Sequence, residues 1–262
     1  MNFAILVICF SINIIISIGL PIGVLVYIIV KRREYLKSYL IGALIFFLSQ
    51  VVLRLPILNF LSVNADWYIM LSSIYPILYS IILGLSAGIF EEVGRFWGFK
   101  VGLKKNRTYK DGLAFGVGHG GIEAILITGI SSISNLIAVI SLHNGSFNSI
   151  NYGMTAEEAI VVYGSLSGLE VLTGGFERLF AMCIHIGMTI MILYGINKSK
   201  KRYLLFAIII HGIVDAMLGI LQYFGIGIIG IELWVMMCAI VSVVYTIKCK
   251  GKFEKYNYSV KL

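Results

Sequence analysis

Seven stretches of about 20 apolar residues, roughly 3–30, 38–62, 68–97, 111–142, 179–197, 203–223 and 226–247, leave this chain little choice of fold. In hydrocarbon a helix satisfies its own backbone N–H and C=O groups, whereas an open sheet or irregular chain does not. The expected fold class is therefore all-α, a polytopic membrane helical bundle of about seven transmembrane helices. Composition agrees: 59% of the 262 residues are hydrophobic and 13% charged, against about 25% charged in an ordinary soluble domain. No repeat or low-complexity segment divides the sequence. It reads as a single integral membrane domain, 1–262, with a catalytic core at about 68–223 and an outer loop at about 143–178.

The basic residues sort by loop. Lys31, Arg32, Arg33 and Lys37 follow the first stretch, and Lys100, Lys104, Lys105, Arg107 and Lys110 follow the third. Lys198, Lys200, Lys201 and Arg202 follow the fifth, and Lys248, Lys250, Lys252, Lys255 and Lys261 form the tail. The positive-inside rule then predicts the N-terminus outside and the C-terminus cytoplasmic in a multi-pass protein of the cell membrane, the bacterial plasma membrane. The net charge of +8 is thus a topology signal, with the lipid bilayer as partner and no nucleic acid. The first stretch lacks a basic leader and a small-residue cleavage site, so it reads as a retained helix rather than a signal peptide. Cys9, Cys183, Cys238 and Cys249 form no CxxC pair and read as small packing residues. In the outer loop, Thr155 and Glu158 have capping-box spacing. They predict a short amphipathic helix near 156–169, with Glu157, Glu158 and Glu170 on a solvated face.

Three arginines escape this pattern: Arg54, Arg95 and Arg178 lie in or against apolar stretches. A charge at membrane depth costs roughly 2.5–3.5 kcal/mol on insertion scales, so such groups are paired and mark function. Arg54 reads as a residue that braces the bundle or snorkels rather than reacts. Arg95 follows Glu91 and Glu92 at i,i+4 and i,i+3, so it falls between them on a helix and can neutralise either. His119 and Glu123 are i,i+4 on the fourth stretch, as are His211 and Asp215 on the sixth, while His185 stands alone on the fifth. At about 1.5 Å per residue, Glu91, His119 and His211 all fall on the order of 10–13 Å below the basic face. Three helices thus bring polar groups to one level, with His185 and Glu123 somewhat deeper.

Gly116-Val-Gly118-His-Gly120-Gly121 fits G-x-G-x-x-G, but no strand precedes it, so it is no dinucleotide site. Gly112, Gly116 and Gly120 read instead as a close-packing face that lets a neighbouring helix approach His119. HExxH is absent. Metal ligands, if any, would be assembled from several spans: His119, His185, His211, and Glu91 or Glu92.

Glu91-Glu92-x-x-Arg95, Phe115-xxx-His119 and His211-xxx-Asp215 resemble, in order, the EExxxR, FxxxH and HxxxN motifs of the CAAX-prenyl-protease and bacteriocin-processing membrane proteases. His119-Gly-Gly-x-Glu123 and Glu177-Arg178 ahead of His185 are closer to the YhfC-like membrane peptidases. Here Arg95 comes one residue early, and Asp215 replaces the family's Asn. The resemblance implies peptide-bond hydrolysis in a membrane cavity open to the cytoplasm, acting on a membrane-associated protein or peptide. Glu91 or Glu92 would be the general base, and His119 and His211 would hold the water or the oxyanion. Arg95, Glu123, His185 and Asp215 would support them, Asp215 by orienting His211. The expectation is an intramembrane protease, glutamic-type in preference to metallo-type, with no cofactor and zinc as the alternative. The non-enzymatic alternatives are a proton-coupled transporter or an immunity scaffold.

Overall fold

The computed structural model describes residues 2–259, with side chains to residue 253; Lys261 and the side chain of Lys255, both assigned to the basic tail, lie outside the described residues. It is an all-α bundle. Seven helices are long and apolar enough to cross a membrane: α1 (Phe3–Lys31), α2 (Arg33–Asn64), α3 (Pro76–Gly102), α4 (Tyr109–His143), α5 (Gly168–Asn197), α6 (Arg202–Tyr223) and α7 (Ile228–Phe253).

The boundaries that differ from expectation have local causes. The third stretch was expected to start at residue 68, but Tyr75 leaves helical geometry (φ −126°, ψ 60°) before Pro76, and Asp66–Ile74 forms a separate short helix. Proline disfavours the α region for the residue ahead of it and is well suited to a first turn. The outer-loop helix is Ala156–Ser165, shorter than 156–169, and Thr155 and Glu158 do form its capping box. It is docked rather than lying free: Ala159 and Tyr163 are buried, and Tyr163 Oη donates to Asn135 Oδ1 at 2.9 Å. A second capping box, Ser167 with Glu170, starts α5 eleven residues before the expected 179. Glu170 is exposed as expected, but on this helix. Asp111 closes a third box with Thr108 and accepts from Ser38 Oγ at 2.7 Å, so it fixes the start of α4 against α2.

The middle of the bundle belongs to α5. In its most apolar window 61% of residues are buried, against 17–33% in the other spans. It packs against α4 on one side and α7 on the other, while α3 pairs with α6 and α2 with α4. Gly112, Gly116 and Gly120 do face α5: a Cβ on Gly116 would stand 2.7 Å from Ile186 Cα. Similarly, a Cβ on Gly88 would lie 2.6 Å from Ile208 O, which brings α3 against α6. On the half nearer the basic loops, Phe99, Leu103, Phe115, Ile190 and Leu193 form a core with no exposed surface, and the rings of Phe99 and Phe115 stack 4.6 Å apart.

Spans α1 to α4 each contain a π-helical segment, at Ile15–Gly19, Phe47–Arg54, Gly98–Gly102 and Ile125–Gly129. The one in α2 precedes Pro56, which cannot donate to the backbone, and the ladder steps out so that Leu55 N–H bonds to Gln50 O. Such bulges recur at functional sites. This one carries Gln50 and Arg54.

Candidate functional site

One carboxylate oxygen is the hub. Glu91 Oε2, on α3, lies 2.9 Å from His119 Nε2 on α4, 3.7 Å from His185 Nδ1 on α5 and 4.0 Å from His211 Nε2 on α6. Arg95 Nη2 is 3.9 Å away. Glu91, Glu92, Arg95, His119, His185 and His211 are all buried. The sequence-derived residues of four helices therefore meet, and His185, which had no partner in the sequence, is one of them.

Two of the histidines are held from behind in the same way. Arg95 Nη1 contacts both oxygens of Glu92, at 2.6 and 2.7 Å, and Glu92 Oε1 accepts from His211 Nδ1 at 2.7 Å. Arg178 Nη1 donates to Glu123 Oε1 at 2.8 Å, and Glu123 Oε2 lies 2.5 Å from His185 Nε2. Arg178 also bonds its chain neighbour Glu177. Each arginine fixes a glutamate and each glutamate stands against an imidazole, Glu92 through a hydrogen bond and Glu123 through a close contact outside hydrogen-bond geometry. A carboxylate only accepts, so a neutral His211 protonated at Nδ1 turns a bare Nε2 toward the centre. Arg95 Nη2, which only donates, lies 3.1 Å from His185 Nδ1, so this nitrogen too is unprotonated. His119 has no carboxylate behind it. Its Nδ1 is buried without a partner among the described residues, and its ring is set by Phe46, 5.3 Å away edge-on, and Phe115, stacked at 6.2 Å.

Arg95 thus serves Glu92 rather than Glu91. The closest carboxylate to His211 is also Glu92, and not Asp215 as expected: Asp215 Oδ2 stands 3.6 Å from Nε2, on the opposite side of the ring. Arg54 is a brace, as read, donating to Ser86 Oγ at 3.0 Å and Leu83 O at 2.8 Å. It also donates to Gln50 Oε1 at 3.0 Å, and Gln50 Nε2 bonds Glu91 Oε1. Gln50 holds one oxygen of Glu91 while the other faces the histidines. Sequence reasoning missed Gln50 because a lone amide in an apolar run carries little signal. Its spacing of four from Arg54 was the available clue.

Two cavities reach the cluster. One, about 240 Å³, is lined by Glu91, Glu123, Glu177, His185, His211 and Asp215. The other, about 300 Å³, lies by Gln50, Arg54, Glu91, Glu123 and Asp215. Their linings follow His119 and His211 in sequence and precede Glu91 and His185, so both lie on the side away from the basic loops. The side toward those loops is filled by Phe99, Leu103 and Phe115. The cavity was expected to open toward the basic loops; this is corrected, because Phe99, Leu103 and Phe115 pack that side.

The residues fit a metal ion. Ligand atoms of Glu91, His119 and His185 lie within 4.8 Å of one another. A tetrahedral zinc ion with bonds of about 2.0–2.1 Å takes donors of this kind, and imidazole must offer a bare nitrogen. A carboxylate behind a ligating histidine is the usual supporting arrangement. Among the described residues, the carboxylates of Glu91, Glu92, Glu123, Glu177 and Asp215 outnumber the guanidinium groups of Arg54, Arg95 and Arg178 around them, and such an excess of negative charge favours a cation.

The family model described as YhfC intramembrane metalloprotease matches residues 16–241. The chain belongs to the YhfC family. The uncharacterized membrane protein YhfC of Bacillus subtilis (strain 168) is 34% identical over 245 residues, covering 90% of this chain and 93% of that protein. No solved structure matches.

Membership in YhfC corrects the preference for glutamic-type over metallo-type chemistry; of the cofactor expectation, the alternative of zinc is the part the site supports. The family is described as a metalloprotease, and Glu91, His119 and His185 form a buried Glu/His/His group able to hold an ion. The error had a physical source. The sequence placed the acids and histidines at one depth, but not which nitrogens point inward, and with ligands drawn from three helices there is no HExxH to read.

Proposed function

We propose that this protein is an intramembrane metalloprotease that hydrolyses a peptide bond of a membrane-associated protein or peptide. The observation that carries the reading is the convergence of His119 Nε2, His185 Nδ1 and His211 Nε2 on Glu91 Oε2 inside a membrane bundle. Glu91, His119 and His185 would hold the ion, zinc by the chemistry of the donors, with His211 beside them. When bound, zinc polarises a carbonyl and makes a water nucleophilic near neutral pH.

The chain's own groups supply the rest. Gln50 restrains Glu91 through Oε1. Glu92 and Glu123 fix the rings of His211 and His185, so little reorganisation remains for the reaction. His211, on the cavity wall, is placed to donate to a developing oxyanion when protonated at Nε2. Asp215, whose side chain is 35% exposed, is the carboxylate placed to take a proton from water in the cavity. Phe99 and Phe115 exclude water from the other side.

The whole chain acts as one domain, with its catalytic core in α3 to α6, in the bacterial plasma membrane. The basic loops between α1 and α2, α3 and α4, and α5 and α6 support an N-terminus outside and a C-terminus in the cytoplasm. The cavities then belong to the outer half of the bundle.

Metal content and cleavage of a candidate substrate, measured on purified protein, test the reading. Wild-type protein should carry about one zinc per chain, as expected for a site of this donor type, and lose cleavage on chelation. His119→Ala and His185→Ala should lose both metal and activity, while Asp215→Asn should keep metal and lose activity. Cleavage that survives complete metal removal would falsify it.

A further inference from the structure

A third cavity, about 390 Å³, lies between α6 and α7 on a floor of α5. Gly187, Met188 and Met191 form the floor, Ile210 and Val214 one wall, and Trp234, Met237, Cys238 and Val241 the other. It meets the polar cavity of the histidine cluster at Val214, which lines both. Along α5 the two linings form one stripe, Ala181, Ile184, Met188 and Met191, about 15 Å long at 1.5 Å per residue. The trough is thus apolar at one end and carries Glu91, His185 and His211 toward the other, with Glu177 and Asp215 beyond.

This crevice faces the bilayer. Ile210 and Ile213 on α6 and Met237 and Val241 on α7 are exposed along its lips. Span α7 is seated on α5, where a Cβ at Gly187 would stand 2.9 Å from Ser242 Cβ. Toward α6 it makes, among the described residues, a single side-chain hydrogen bond, Trp234 Nε1 to Val214 O at 3.2 Å, at the point where the two cavities join. Methionine adapts its shape to varied apolar partners, and three of them border the apolar end.

We infer that the α6–α7 crevice is a docking groove for the transmembrane helix of a substrate, which enters sideways from the bilayer past Trp234. The inference rests on the proteolytic reading and names its substrate class. The bound helix is apolar along Met188, Met191 and Met237. It carries a basic residue at the end nearer Glu177 and Asp215, because Arg178 there is shared by Glu123 and Glu177 and Asp215, on the cavity wall, has no arginine within ion-pair distance among the described residues. Its susceptible bond lies between the two, at the edge of the apolar segment.

The test uses full-length protein in phospholipid vesicles with a photocrosslinking residue at Met237 or, as reference, at outward-facing Ile8 on α1. The probes are synthetic Leu/Ala helices of about 20 residues ending in lysines or in glutamates. The lysine-ended helix should crosslink at position 237 about tenfold more than at position 8, and several-fold more than the glutamate-ended helix. Met191→Trp and Val241→Trp, which fill the groove from floor and wall, should each remove the signal at 237 and leave that at 8. Equal yields at the two positions overturn the proposal, as do labelling of lipid alone, crosslinks between two copies of the chain, or indifference to both tryptophans. Crosslinking requires no catalysis, so a metal-free or inactive protein that still captures the helix fails the function and keeps the groove. An active one that captures nothing does the reverse.

Discussion

Two arginines in this bundle do the same job in different surroundings. Arg95 holds Glu92, which holds His211; Arg178 holds Glu123, which holds His185. The first chain of contacts is sealed, with Arg95 and Glu92 at 0% side-chain exposure. The second borders the polar cavity, with Arg178 at 9%, Glu123 at 12% and the additional Glu177 at 28%. The same unit thus serves as a closed strut on one side and as the wall of a polar cavity on the other. Burial, rather than pairing, separates a charge that secures the fold from one that tunes the site.

Breaking the sealed strut should have the largest effect. Arg95→Met leaves Glu92 charged and buried with only His211 beside it, and should destabilise the protein by about 3–5 kcal/mol in detergent unfolding measurements. Adding Glu92→Gln should recover much of that loss. If the single and double variants were equally unstable, Arg95 would matter for packing and not as a counter-ion. Arg178→Met should cost roughly 1–3 kcal/mol, since water in the cavity can solvate what remains. A loss as large as that of Arg95→Met would erase the distinction between the two units.

The third test separates tuning from folding. Glu123→Gln should leave the unfolding midpoint near that of wild type while zinc affinity, read by competition with a chelating dye, falls about 10–100-fold. Unchanged affinity would mean that His185 is held by packing alone. The smallest effect belongs to Gln50, which stands outside both units. Gln50→Leu removes its hydrogen bonds to Glu91 and Arg54 and should cost about 1 kcal/mol in the same unfolding assay, less than either arginine variant.

Most of the cluster was legible because intramembrane charges are rare. Glu91, Glu92, Arg95, His119, His211 and Asp215 stood out against apolar neighbours, and helix rise alone put three of them on one level. His185 was visible but unassigned, since one histidine in a span has no periodic partner. Gln50 was passed over because an amide is cheap enough in a bundle to need no explanation. The start of α5 was lost for a different reason. Ser167 and Glu170 make as good a capping box as Thr155 and Glu158, but they fall at the end of a segment read as one loop helix, 156–169.

The sequence by itself determined that this chain crosses a membrane about seven times, where its basic loops fall, and which few ionisable residues lie between them. Those properties depend on hydrophobicity and on position along a helix, both local. Only the tertiary structure decided that Glu92 rather than Glu91 belongs to Arg95, that Glu92 rather than Asp215 backs His211, and that the cavities lie away from the basic loops. It also brought ligand atoms of Glu91, His119 and His185 within 4.8 Å of one another, a group able to hold a metal ion. Those outcomes depend on how helices rotate and pack against one another. The glycine faces of α3 and α4 permit that packing, but no spacing along the chain records it.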